Sequence, residues 1–171
     1  MRAPLVLTAV LPAALQGRAE GLRRAHYPPD RNQVPAHVTL LHALPPPVEA
    51  EARGLLAALA AELPPVPATL TGLTDLGTGT ALGIDSPDML NLRAMIAEHF
   101  HGMLTLQDQG EPRLHVTVQN KVTRGEAKAL QAMLAPTINR ERFAFAGLAL
   151  HRWLGGPWED AGHWPFRGRA R

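Results

Sequence analysis

The sequence predicts an α+β fold with two pseudo-symmetric lobes, in which antiparallel sheets flanked by helices enclose a central cleft. Two observations support this fold class. A four-residue motif occurs twice, as HVTL at 37–40 and as HVTV at 115–118. Each copy is followed by a helical stretch and then by a strand-like run, so the same order of elements recurs in both halves. We therefore expect a single two-lobed domain over residues 1–171.

The composition is that of a compact globular protein. With 171 residues, 46% of them hydrophobic, such a chain can bury about 70% of its unfolded surface. The absence of cysteine excludes disulfides and cysteine-based metal sites, and it favours a cytoplasmic location. No apolar run reaches the ~18 residues needed to cross a bilayer, so no membrane association is expected.

The N-terminal third begins with a predicted strand. Residues 5–10 are rich in strand-forming side chains, which favours a strand over the alternative of a signal-peptide core across 5–15. Pro12 can open the helix that follows, and the proline pair 28–29 ends it. A polar, proline-bounded loop over 30–36 then leads into the first motif.

The middle of the chain alternates between helix and strand. An Ala/Leu/Glu-rich run over 48–63, followed by prolines, predicts a helix. Residues 69–75 and 80–85 are typical of two strands joined by a glycine-rich hairpin turn. Ser86 can cap the next helix, because proline follows it at the first helical position.

The C-terminal third repeats the pattern. A helix is predicted over 124–134 after the second motif, and two strands, 143–153 and 158–166, are expected to form a closing hairpin. The formal net charge is only +2. The basic residues Arg167, Arg169 and Arg171 therefore predict a solvated tail, with RNA contact as the alternative.

The two motifs carry the chemistry. Alternate side chains of a strand share a face, so His37 points the same way as Thr39, and His115 the same way as Thr117. Paired imidazoles can give and take a proton near neutral pH, and a neighbouring hydroxyl can bind a phosphate oxygen. Two such strands side by side would form a catalytic site.

Further substrate contacts are less specific. Gln119 and Lys121 share strand parity with His115 and are candidates for the cleft, with an exposed strand end as the alternative. Core packing is the base case for Trp153, and contact with a nucleobase is the alternative. His42 has the opposite parity from His37, which favours packing or edge exposure over catalysis. The histidine spacing lacks a metal-binding frame, so we expect neither a metal nor another cofactor.

Paired H-x-T-x strands in a duplicated α+β chain of this size resemble the two-histidine (2H) phosphoesterase superfamily. This superfamily includes RNA 2',3'-cyclic phosphodiesterases and proteins called 2'-5' RNA ligases. The similarity extends beyond the motifs to the segments 5–9, 22–24, 35–40 and 155–158.

The resemblance implies a fold and a set of residue roles. The two motif strands would lie centrally, related by a pseudo-two-fold axis, and bind the phosphate between them. His37 and His115 would be catalytic, with Thr39 and Thr117 binding the substrate phosphate. The resemblance also favours His37 as the general acid and His115 as the general base.

The expected activity is metal-independent opening of 2',3'-cyclic phosphate ends of RNA or nucleotides, with reversible 2'-5' RNA ligation through the same groups. RNA ends or small cyclic nucleotides would be the substrates, and a monomer with no obligate protein partner is expected. Two alternatives remain open. One is a 2H enzyme for another small cyclic or 2'-5' nucleotide, and the other is a non-catalytic RNA-end-binding module, although pure anion binding would be better served by arginine.

Overall fold

The structure is a computed structural model that describes residues 3–169. Within this range eight strands and four α-helices form the fold. The strands are β1 (Leu5–Val10), β2 (Val38–Leu44), β3 (Val66–Asp75), β4 (Thr80–Asp85), β5 (His115–Gln119), β6 (Glu141–Phe145), β7 (Gly147–Trp153) and β8 (Trp158–Pro165). The helices are α1 (Ala13–His26), α2 (Glu49–Glu62), α3 (Pro87–His99) and α4 (Arg124–Leu134).

The strands form two four-stranded sheets. Lobe A contains the sheet with strand order β2-β1-β7-β8, and lobe B contains the sheet with order β5-β4-β3-β6. Every pairing is antiparallel. In each sheet the motif-bearing strand lies at one edge, and these two edge strands, β2 and β5, contact each other. The predicted α+β class with two pseudo-symmetric lobes is therefore confirmed.

The lobes are not consecutive halves of the sequence. Lobe A combines the first two and the last two strands, whereas the middle four strands form lobe B. The predicted strand over 143–153 is consequently wrong as a single element, because β6 and β7 belong to different sheets. At Ala146 the chain leaves lobe B, and the Ala146 N–H donates to the carbonyl of Val10 in β1 at 2.8 Å.

Local signals account for most helix boundaries. Pro12 immediately precedes α1, and the Ser86 hydroxyl accepts a hydrogen bond from the N–H of Met89 at the start of α3. Thr123 caps α4 in the same way, through the N–H of Glu126. A single hydrophobic cluster, including Leu7, Leu82 and Phe145, joins side chains from both sheets. Among the described helices, none has the length and hydropathy of a membrane span.

Candidate catalytic cleft between the motif strands

The two motifs have matching local conformations. In the first, Val38 and Leu40 are buried while His37 and Thr39 are half-buried, and the second copy repeats this alternation. This alternation follows from strand geometry, because the aliphatic side chains point into the core and the polar ones point to the other face. His37 directly precedes β2, and His115 is the first residue of β5.

The two imidazoles are held by the same kind of contact. His37 Nδ1 lies 2.8 Å from the carbonyl oxygen of Pro35, and His115 Nδ1 lies 2.7 Å from that of Arg113. A carbonyl only accepts, so each Nδ1 carries the hydrogen. In a neutral ring this leaves Nε2 as the free acceptor, and in a charged ring Nε2–H becomes a donor. Both rings therefore present the nitrogen that can exchange a proton with a substrate.

Burial sets the protonation state of His37. Loss of solvent lowers its pKa to about 4, and the bond to the Pro35 carbonyl only partly opposes this effect. Positive charge on Arg23, His151 and His115 lowers the pKa further. His37 is therefore neutral in the free protein at neutral pH.

Aromatic side chains from the closing hairpin surround His37. The Trp158 ring lies with its centroid 4.5 Å from that of His37, and it stacks on His151 at 4.5 Å with an interplanar angle of 26°. His151 Nε2 in turn lies 3.0 Å from the hydroxyl of Thr8, and burial lowers the pKa of His151 as well. The side chains of Thr8, His151, Trp158 and His37, from three separate segments of the sequence, thus contact one another in that order.

The surroundings of His115 are different. Its cross-strand neighbour on β4 is Gly83, and the neighbour of Thr117 is Ala81. Directly opposed residues share a face of the sheet, so only small groups flank the second motif there. A Cβ at Gly83 would lie 2.7 Å from Thr71 Oγ1 and 2.9 Å from Thr74 Oγ1. The lobe B face therefore carries the hydroxyls of Thr71 and Thr74 at this position.

A cavity of 260 Å³ opens beside His37 in lobe A. Ala149 and Trp158 supply part of its apolar wall. Its polar lining comes from Thr8, Gln16, His37, His151, Asp160 and His163. A larger cavity of 460 Å³ lies between the end of α3 and the following loop, and no motif residue lines it.

The secondary candidates occupy different positions. A bulge in β5 places Gln119 opposite Thr80, where its amide oxygen accepts from the Thr80 hydroxyl at 3.1 Å. The same hydroxyl contacts Gln131 of α4, so Gln119 faces the helix and the simple parity argument does not hold for it. Lys121 is exposed just beyond the strand, with φ of 60°. Trp153 is 45% exposed and lies opposite Trp158 on β8.

The His42 side chain is 43% exposed on the edge strand β2, in line with the edge exposure that its strand parity favoured. Its Nδ1 lies 3.0 Å from a carboxylate oxygen of buried Asp108, and that carboxylate also accepts the backbone N–H groups of His42 and Ala43. Among residues 3–169 no three potential metal ligands are grouped. The sequence alone did not identify Thr8, His151 and Trp158 as part of this site, because the contacts that link Thr8 through His151 and Trp158 to His37 depend on strand pairing across the whole chain.

Two H-x-T-x strands at the adjoining edges of two antiparallel sheets define a 2H phosphoesterase fold. A family model described as the 2'-5' RNA ligase superfamily matches residues 11–157. The chain therefore belongs to the 2'-5' RNA ligase superfamily, and the resemblance seen in the sequence is confirmed.

Solved structures share this fold. TT0787 of Thermus thermophilus is similar with a TM-score of 0.66 and 17% identity, over 99% of this chain and 100% of that chain. Escherichia coli LigT complexed with 3'-AMP has a TM-score of 0.60 and 19% identity, over 97% and 99%. LigT complexed with NADP+ has the same score and identity, over 98% and 99%. At such identities these similarities show the fold alone. A comparison with curated proteins gave no match.

Proposed function

We propose that this protein is a metal-independent phosphodiesterase that opens 2',3'-cyclic phosphate ends of RNA or nucleotides. The observation that carries the proposal is the pair of motif histidines on adjoining edge strands, each with Nδ1 bound to a backbone carbonyl and Nε2 left for the substrate. Ring opening needs one group to accept a proton and another to donate one. Two imidazoles of this kind meet that need.

The environment of His37 favours it as the general base. Because its pKa is lowered to about 4, the free protein presents a neutral ring whose Nε2 can accept a proton from water. That water attacks phosphorus in line with the bond to one of the two ribose oxygens. This assignment reverses the roles that the family resemblance suggested for His37 and His115.

His115 completes the proposed reaction as the general acid. It donates its Nε2 proton to the ribose oxygen as the phosphorus–oxygen bond breaks, which leaves a phosphate monoester and a free hydroxyl. The Thr39 and Thr117 hydroxyls donate to the nonbridging oxygens, where negative charge accumulates in the transition state. If the 5'-hydroxyl of a second RNA end takes the place of water, the same attack forms a new phosphorus–oxygen bond, breaks the bond to the 3'-oxygen and joins the two ends with a 2'-5' bond.

A substrate panel tests the proposal directly. The purified protein would be incubated in excess chelator with 2',3'-cyclic nucleotides, cyclic-ended RNA and 2'-5' oligoadenylate. Products would be identified by mass and by sensitivity to phosphatase. We expect linear phosphate monoesters from the cyclic substrates, and no product from a variant carrying both H37Q and H115Q.

The alternatives give distinct outcomes in the same panel. Cleavage of 2'-5' oligoadenylate with intact cyclic ends would replace the proposed substrate class. Salt-sensitive binding of cyclic-ended RNA without turnover would identify a binding module. Activity that disappears in chelator would overturn the metal-independent mechanism.

A further inference from the structure

A buried arginine of α1 reaches the second motif. Arg23 is 2% exposed, and its Nη1 donates to the carbonyl oxygen of Thr117 at 2.8 Å. Its Nε donates to Asn32 Oδ1 at 3.1 Å, and its guanidinium lies 4.2 Å above the Tyr27 ring. Helix α1 precedes the first motif in the chain, yet it packs against β5 of lobe B.

A second buried arginine makes the reciprocal contact. Arg93 of α3 is 6% exposed, and its Nε donates to the carbonyl oxygen of Leu40 at 3.1 Å. Its Nη2 donates to the carbonyl of Asp108, whose carboxylate accepts the N–H groups of His42 and Ala43. The outer edge of β2 is therefore covered by residues that precede the second motif.

Both carbonyls belong to strands with one free edge. β2 and β5 each pair with a single neighbour, β1 or β4, and a buried backbone carbonyl without a partner is costly. Burying a guanidinium is also costly unless its donors are used. An apolar side chain could fill the same volume, but it could not bind a carbonyl. The rigid guanidinium fork can bond to a strand and to a second acceptor at once.

We propose that Arg23 and Arg93 are reciprocal positioning residues that hold the two motif strands edge to edge and so fix the separation of the His37 and His115 rings. The inference rests on the proposed function of those histidines. Each arginine comes from the helix before one motif and bonds to the strand of the other motif. Loss of either should change the relative placement of the two halves of the cleft.

The two arginines differ in one respect that a measurement can use. The charge of Arg23 is among the influences that lower the pKa of His37, together with His151 and His115, whereas Arg93 is not among them. Removing Arg23 should therefore move the acid limb of the rate profile to higher pH. Removing Arg93 should leave that limb in place.

The test compares R23M and R93M with R18M. Arg18 also links α1 to lobe B, through Glu141 of β6 at 2.8 Å, but this ion pair is on the surface with Arg18 46% exposed. We expect R23M and R93M to lower kcat about 10- to 100-fold with smaller changes in KM, because misplacement by about 1 Å can have that effect. The kcat of R18M should stay within about twofold of that of the protein without substitutions.

Two controls separate loss of position from loss of folding. R23K and R93K keep the positive charge but lose the guanidinium fork, and circular dichroism of every variant checks that it is folded. Full kcat and an unchanged pH profile in folded R23M, or a lowered melting temperature with unchanged kcat in both variants, would overturn the inference. If the unchanged protein turns over no cyclic phosphate, the proposed function fails separately. In that case the binding of inorganic phosphate, measured as line broadening in ³¹P spectra, is compared among the same variants. We expect less broadening with R23M and R93M than with R18M, and equal broadening with all three would overturn the positioning role.

Discussion

The two halves of the cleft share a motif and differ in what surrounds it. In lobe A the ring of His37 lies against Trp158, with His151 and Thr8 behind it. In lobe B the strand neighbour of His115 is Gly83, which has no side chain. Yet the carbonyl contact at Nδ1 is the same in both.

This difference shows that the direction of each imidazole ring and its proton affinity have separate origins. The motif and its strand set the direction of each ring and the nitrogen it presents. The proton affinity of His37 comes from neighbours in other segments, because burial is the largest cause of its lowered pKa. Duplicated geometry with unequal surroundings would let two identical residues take the opposite roles in proton transfer that we propose for them.

The largest effects are expected at the two histidines themselves. H37Q and H115Q keep a hydrogen-bonding side chain but cannot exchange a proton, so each should lower kcat/KM about 10²- to 10⁴-fold. H42Q is a matched control, because His42 lies on β2 just after the first motif and its side chain bonds to Asp108. Near-normal turnover by either motif variant, folded by circular dichroism, would discard paired-histidine catalysis.

Smaller losses are expected at the motif threonines. T39V and T117V remove a hydroxyl while keeping a β-branched side chain, and each should lower kcat about 10- to 100-fold, the usual range for a lost bond to a charged group. T39S and T117S should recover most of this activity. Steady-state kinetics on one cyclic nucleotide would give kcat for the valine and the serine variants. Equal kcat values for the two would argue against a hydroxyl contact with phosphate.

Trp158 gives a sharper test of the comparison between the lobes. W158A should open the surroundings of His37 to water, so the pKa of His37 should rise from about 4 toward its ordinary value of ~6.5. The acid limb of kcat/KM, which reports the free enzyme, should move to higher pH. W158F should keep most of the shielding, and an acid limb unmoved in W158A would show that the tryptophan does not control His37.

The smallest expected effect concerns stability. Between its ordinary pKa of ~6.5 and its folded value of about 4, His37 binds a proton more tightly in the unfolded chain, so stability should fall as the pH falls through this window. H37Q lacks that titration and should lose less of its melting temperature between about pH 7 and about pH 4.5. Equal losses of melting temperature in both proteins would show that folding does not lower the pKa of His37.

The sequence predicted local features better than long-range ones. Pro12, Ser86 and the alternation around His37 and His115 act within a few residues, and the structure has them as expected. The split of 143–153 at Ala146 could not be seen, because both parts have the same strand-forming composition. Gln119 was misplaced because a bulge, which depends on pairing with β4, shifts strand parity.

The order of the strands in lobe A also has a consequence for biosynthesis. As the chain emerges from the ribosome, all four strands of lobe B are synthesised before β7 and β8. Until then β1 and β2 lack the two strands that complete their sheet. The indole beside His37 is added with the last strand. The second motif can therefore reach its mature surroundings early, whereas the first motif reaches its own only when the sheet of lobe A closes.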